Sequence, residues 1–145
     1  MKNARVYLDT CVWCRPFDEV RDERIFDEAM AFVRIVGKAE RDEITVLGSD
    51  VLLFEVSLIS PAEKRKAVGE LIARVAEITH LTERSKKKAE EIMECGMNAM
   101  DALHIAVAVE NGANMFITTD EDILKRRECL SGWIEVKNPQ EVDAE

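Results

Sequence analysis

No run of apolar residues in this sequence approaches the roughly 18 needed to span a membrane, and no apolar stretch follows a basic start as in a secretory leader. A membrane role is therefore not expected, and the chain reads as cytoplasmic. Cysteine is scarce, with four in 145 residues. In that compartment Cys11, Cys14, Cys95 and Cys129 are expected to be reduced thiols rather than a disulfide framework. Proline numbers three and glycine six, and neither gathers into a linker; no internal repeat or low-complexity tract is present. Positive charge is in deficit. With 20 Lys and Arg against 29 Asp and Glu, the net charge is -9, which excludes a protein that grips nucleic acid by a broad basic surface. Nucleic acid as a substrate stays open, because metal ions in an acidic pocket can supply positive charge locally.

What the chain does have is apolar content, at 47%. That is enough for one compact domain over residues 1–138, followed by a polar tail at 139–145. Short apolar runs at residues 4–8, 44–47, 77–81, 115–118 and 133–136 read as strands. Between them lie helical patterns. One covers residues 22–40, with Ile25, Phe26, Ala29, Met30, Val33 and Val36 on one face. Ser49 or Asp50 caps a second, apolar helix that carries Glu55. Ser60 and Pro61 open a third, which runs to about Val75. Thr82 caps a fourth that ends near Cys95, with Gly96 beyond it. Asn98 opens a fifth that closes at Asn111-Gly112, and residues 120–127 form a short one. Strands separated by helices require crossover connections, so the expected fold is α/β: a three-layer α/β/α sandwich with a central, mostly parallel sheet of about five strands.

Four acids stand at related places in this pattern. Asp9 and Asp120 follow apolar strands, and ligands of open α/β sheets bind outside the carboxyl ends of the strands. Glu55 lies in an apolar helix, flanked at three and four positions by Val51, Leu52, Leu58 and Ile59. Asp101 sits at the leading edge of a helix that is almost wholly apolar after its first turn. Singly, Asp9, Asp101, Asp120 and Asp122 are explained as turn or helix-cap residues. Glu55 is not, because a buried carboxylate must take up a proton or find a cation. The four carboxylates are expected to meet.

Leu8-Asp9-Thr10, the lone Glu55 in an apolar helix, Asp101-Ala102-x-x-Ile105-Ala106 and Thr118-x-Asp120-x-Asp122 together resemble the PIN-domain family, including VapC-type toxins of toxin-antitoxin pairs. The resemblance implies a metal-dependent ribonuclease whose acidic site holds Mg2+ or Mn2+. By position, Asp9, Glu55, Asp101 and Asp120 match the family's catalytic, metal-binding quartet, with Asp122 as an occasional fifth ligand and Thr118 as a supporting hydroxyl. Cys11 departs from the Asn or Ser that many relatives carry after the Asp-Thr pair. An RNA substrate, a small antitoxin partner and a homodimer are also implied, with Phe26, Met30 and Ile59 as candidate dimer contacts. Hard oxygen ligands suit such ions, which polarise a phosphodiester and lower the pKa of an attacking water. Arg15, Lys125 and Arg126 are candidates for contacting the RNA backbone. The clusters at residues 64–66 and 86–88 read as solvated helix faces.

Other readings compete. Cys11 and Cys14 have C-x-x-C spacing after a strand, as a thiol redox or zinc-binding α/β protein would. The thioredoxin-like proline and a second cysteine pair are missing. A phosphatase using Asp9 as nucleophile would want an acid at position 11, where Cys11 stands. A noncatalytic PIN-like binding module is favoured by nothing in the sequence. His104 reads as a packed helix residue rather than a ligand, and His80 as a strand residue without a partner.

Overall fold

The computed structural model describes residues 4–143. Five short strands form its centre: β1 (Ala4–Leu8), β2 (Ile44–Ser49), β3 (Glu77–Thr79), β4 (Met115–Ile117) and β5 (Glu135–Lys137). All neighbouring pairs are parallel, in the order β3-β2-β1-β4-β5. The period-two alternation of a strand explains the two faces. Val6 and Leu8 of β1, like Met115 and Ile117 of β4, enter one apolar cluster, while Tyr7 and Phe116 enter the other. A strand covered on both sides is apolar at nearly every position, as these are.

The helices are α1 (Thr10–Cys14), α2 (Glu23–Glu40), α3 (Asp50–Val56), α4 (Ala62–Val75), α5 (Glu83–Met93), α6 (Ala99–Glu110), α7 (Glu121–Leu124), α8 (Arg127–Leu130) and α9 (Pro139–Asp143). One face of the sheet packs against α1, α2, α4 and α9 with part of α3, and the other against α5 to α8. This is the expected three-layer sandwich. No helix among the described residues is long and apolar enough to cross a membrane.

Several local expectations are corrected. The core face of α2 is Ala31, Phe32, Ile35 and Val36, whereas Phe26, Met30 and Val33 are exposed at 50%, 39% and 54%. The helix carries two apolar stripes, and periodicity could not say which one meets the sheet. The expected polar tail instead forms α9, at least as far as Asp143; Val142 is buried and joins the core beside α2. Cys95 and Cys129 are not thiols but a disulfide, because the turn after α5 and helix α8 bring their Cα atoms to 5.8 Å, within bridging range. Ser60 does not cap α4; Pro61 holds that position without a side-chain hydrogen bond. His80 lies beyond β3, exposed, with Nδ1 3.1 Å from the Asp50 carboxylate.

Candidate active site

The strand order reverses direction between β1 and β4, so the segments leaving their carboxyl ends run to opposite faces of the sheet and open a crevice. Asp9 is the residue after β1. Its backbone N–H donates to the Ile117 carbonyl at 2.9 Å, which holds the two strand ends level. Level ends put Asp9 beside Thr118, whose hydroxyl donates to Asp9 Oδ2 at 2.8 Å and accepts from the Asp120 N–H at 3.0 Å. One threonine thus links the first and last acids. Asp120 caps α7 and accepts from the Asp122 N–H.

The other two acids arrive on helices. Ser49 caps α3 by accepting from the Leu52 N–H at 3.1 Å, and Glu55 follows in the last turn. The helix stops at Val56, so Leu58 is exposed and Glu55 is half-buried rather than enclosed. It is also partnered, since the Thr10 hydroxyl donates to Glu55 Oε1 at 2.6 Å. On α6 the Asn98 side chain accepts from the Asp101 N–H at 2.8 Å and donates back to Asp101 Oδ2 at 3.0 Å. That pair anchors the carboxylate at the mouth. Asp9, Glu55, Asp101 and Asp120 line one open cleft of about 430 Å³, together with Thr10, Cys11, Leu58 and Ile59. Asp122 lies outside it, on a neighbouring cavity of about 250 Å³.

Crowding of these acids is visible in their proton affinities. Burial, followed by the charges of Asp9 and Asp120, pushes Asp101 up to about 6. Burial also raises Asp9, against the pull of His104 and the Thr118 hydroxyl. Glu55 moves the other way, lowered chiefly by its hydrogen bond from His104. Four carboxylates on one cleft, two of them holding their protons more tightly than usual, fit a hard divalent cation, which relieves the repulsion. The tightest ligand set among the described residues is Asp9, Glu55 and His104, with one atom from each within 4.8 Å of the others.

His104 is the residue that sequence reasoning undervalued. It is packed as expected, fully buried, yet its Nε2 reaches Glu55 Oε1 at 2.5 Å and its Nδ1 lies 2.7 Å from the Tyr7 hydroxyl. The Tyr7 hydroxyl is in turn 2.6 Å from Ser49 Oγ. Burial alone would lower the His104 pKa, but the Glu55 hydrogen bond and the charge of Asp9 raise it. A polar line thus runs from the α3 cap through β1 and α6 to Glu55. The available signal was its place three residues after Asp101, which puts both on one helix face.

Arg15 sits away from the cleft wall, bound to Glu28 and Asp18 at 2.9 Å. Glu28 explains this. It is fully buried on α2, and a second arginine, Arg24, meets it at 3.0 Å. Arg24 also donates to the Thr119 carbonyl at 2.8 Å, steadying the turn between Thr118 and Asp120. Lys125 is exposed just after α7, and Arg126 lines the smaller cavity. Cys11 and Cys14 are free, and burial pushes the Cys11 thiol up to about 12 and raises Cys14. A thiol held protonated is a poor nucleophile, and the group of three metal-ligand side chains found among the described residues, Asp9, Glu55 and His104, includes neither cysteine.

Solved structures share this fold. VapBC2 from Rickettsia felis, solved bound to a DNA fragment from its promoter, matches with a TM-score of 0.64 at 12% identity, covering 92% of this chain and 98% of that one. FitAcB from Neisseria gonorrhoeae gives 0.60 at 17% identity, covering 92% and 97%. VapC20 of Mycobacterium tuberculosis, a toxin that cleaves the sarcin-ricin loop, gives 0.64 at 19%, covering 90% and 98%. At such identities the likeness is one of fold. No curated protein sequence matches the chain. The model of the PIN domain, however, matches residues 6–128, a span that runs from β1 into α8 and contains every acid of the cleft. With the fold and the sequence in agreement over that span, this chain belongs to the PIN domain family.

Proposed function

We propose that this protein is a divalent-metal-dependent endoribonuclease. The observation that carries the reading is the convergence of Asp9, Glu55, Asp101 and Asp120, drawn from four separate elements, on one open cleft. These four would hold Mg2+ or Mn2+, with Asp122 outside that group. When bound, such an ion supplies Lewis acidity toward a phosphoryl oxygen and generates a nucleophile from water at neutral pH. The chain's own contribution is to fix the carboxylates in advance. Thr118 and the Thr10 N–H orient Asp9, His104 and the Thr10 hydroxyl orient Glu55, and Asn98 orients Asp101. Pre-oriented ligands do not have to reorganise during the reaction.

The fold shared with toxins of toxin-antitoxin pairs supports a place in such a pair. A small antitoxin would cover apolar surface, and the exposed stripe of Phe26, Met30 and Val33 on α2 is available for it or for a second copy in a homodimer. Ile59 is less suited to that contact, since it packs against the core. A cytoplasmic location is part of the same proposal.

Cleavage of mixed single-stranded RNA is the test, run in chelator and with Mg2+, Mn2+ or Zn2+. Mg2+ or Mn2+ should activate, and Asp9→Asn or Asp101→Asn should reduce the rate at least about 100-fold. Absence of cleavage with every ion, together with no thermal shift on adding them, would overturn the reading.

A further inference from the structure

Beside the acidic cleft lies the smaller cavity of about 250 Å³, which shares Asp101 and Asp120 with it and adds Gly96, Met97, Asn98, Asp122, Ile123 and Arg126. Arg126 is anomalous there. Arg15, Arg24 and Arg127 each meet a carboxylate at 2.9–3.0 Å. No such ion pair involves Arg126 among the described residues, although three aspartates line the same cavity. Its Nη1 donates to the Asp122 backbone carbonyl at 2.8 Å, which leaves most of the five guanidinium donors without an acceptor among the described residues.

The placement of this side chain is built in from two directions. Gly96 adopts a φ of +89°, a backbone conformation that side chains disfavour, and a β-carbon there would stand 2.9 Å from Arg126 Nε. The bare glycine gives the guanidinium its seat. The Cys95–Cys129 disulfide then ties the residue before Gly96 to the helix that follows Arg126. A cation is thus held at the edge of a pocket that is otherwise acidic, in a protein of net charge -9. A divalent cation in the cleft would neutralise the acids there, and Arg126 offsets part of the negative charge that Asp122 adds beside it.

We propose that Arg126 and this cavity form a phosphate subsite for the RNA strand, which receives a phosphodiester flanking the one that is cut. The proposal rests on the ribonuclease reading. A guanidinium fork matches two phosphate oxygens, and the shared wall of Asp101 and Asp120 places the subsite beside the cleft. The subsite sets the register of the strand by charge and carries no base preference of its own.

The test uses a single-stranded oligoribonucleotide whose cleavage point has been mapped, with a neutral methylphosphonate walked through the positions on either side. For the wild type, one flanking position should raise KM about tenfold, the factor expected for losing a hydrogen bond to a charged group. Arg126→Gln should raise KM by a similar factor on the fully charged strand, leave kcat within about twofold, and show no further penalty from that methylphosphonate. Arg126→Lys should recover part of the loss, and the salt dependence of KM should flatten by about 0.7 in log-log slope with Arg126→Gln. A methylphosphonate penalty of equal size in the variant, or a fall in kcat at unchanged KM, would overturn the subsite while leaving the nuclease intact. If wild-type protein cleaves no RNA with any divalent ion, both the nuclease reading and the subsite fall.

Discussion

Replacing Asp101 by Asn tests whether the four acids repel one another, with no need for a substrate. In the folded chain Asp101 keeps its proton to about pH 6, against an ordinary value of 3.8. Between those limits the native state binds more protons than the unfolded one, so stability falls as pH rises, and the penalty is complete above about pH 6. The rise corresponds to a ceiling of about 3 kcal/mol. Asp101 is only half-buried, and solvent screening reduces this to about 1–2 kcal/mol. Asn also gives up the favourable charge near the start of α6, at a cost of about 0.3–1 kcal/mol, although its oxygen can still accept from Asn98. In chelator, the melting temperature of Asp101→Asn relative to wild type should therefore climb from about zero at pH 4 to about 1–4 °C at pH 8. Adding Mg2+ or Mn2+ should reverse the order, since a ligand at a hundredfold excess over Kd stabilises the wild type by about 2.7 kcal/mol. Paired thermal melts across pH give the answer. A variant less stable than wild type at pH 8 in chelator, by a margin that does not change with pH, would refute the coupling of these carboxylates.

Other outcomes follow from the same geometry. His104→Ala strips Glu55 and Tyr7 of a buried partner and leaves a void, and urea unfolding should show a loss of about 2–4 kcal/mol. Glu28→Ala leaves two arginines facing an empty site and should cost about 3–5 kcal/mol by the same measurement, without altering metal binding. Reducing the Cys95–Cys129 bond, which closes a loop with a sequence separation of 34, should lower stability by about 3–4 kcal/mol. Alkylation of the native protein followed by mass analysis should leave Cys95 and Cys129 unmodified.

The elements of the fold were legible because their signals are local. β1 and β4 are apolar at every inward position on both faces, and α6 is apolar after its first turn, so strand and helix could be told apart by length and caps. The N-caps Asn98 and Thr82 and the left-handed Gly96 acted where their chemistry placed them. Less legible was α2, whose two apolar stripes are equivalent until a sheet is present to choose between them. The segment of α9 is polar by composition, and burial of Pro139 and Val142 docks it. Two cysteines 34 residues apart carry no mark of pairing until turns from different elements meet.

The acids divide along the same line. That Asp9 and Asp120 follow the carboxyl ends of two strands is read from chain order and strand alternation, which the sequence by itself determines; that those two strands are neighbours is set by the fold. Which partner answers each buried carboxylate does not follow. Glu55 stood out as the acid most in need of a partner, yet the fully buried one is Glu28, answered by Arg15 and Arg24. Glu55 is answered by a histidine 49 residues away, and Asp9 by a threonine 109 residues away. A carboxylate's need for a counter-charge is a property of its own burial, whereas the identity of that charge is set by contacts between distant segments. Only the tertiary structure brings those segments together.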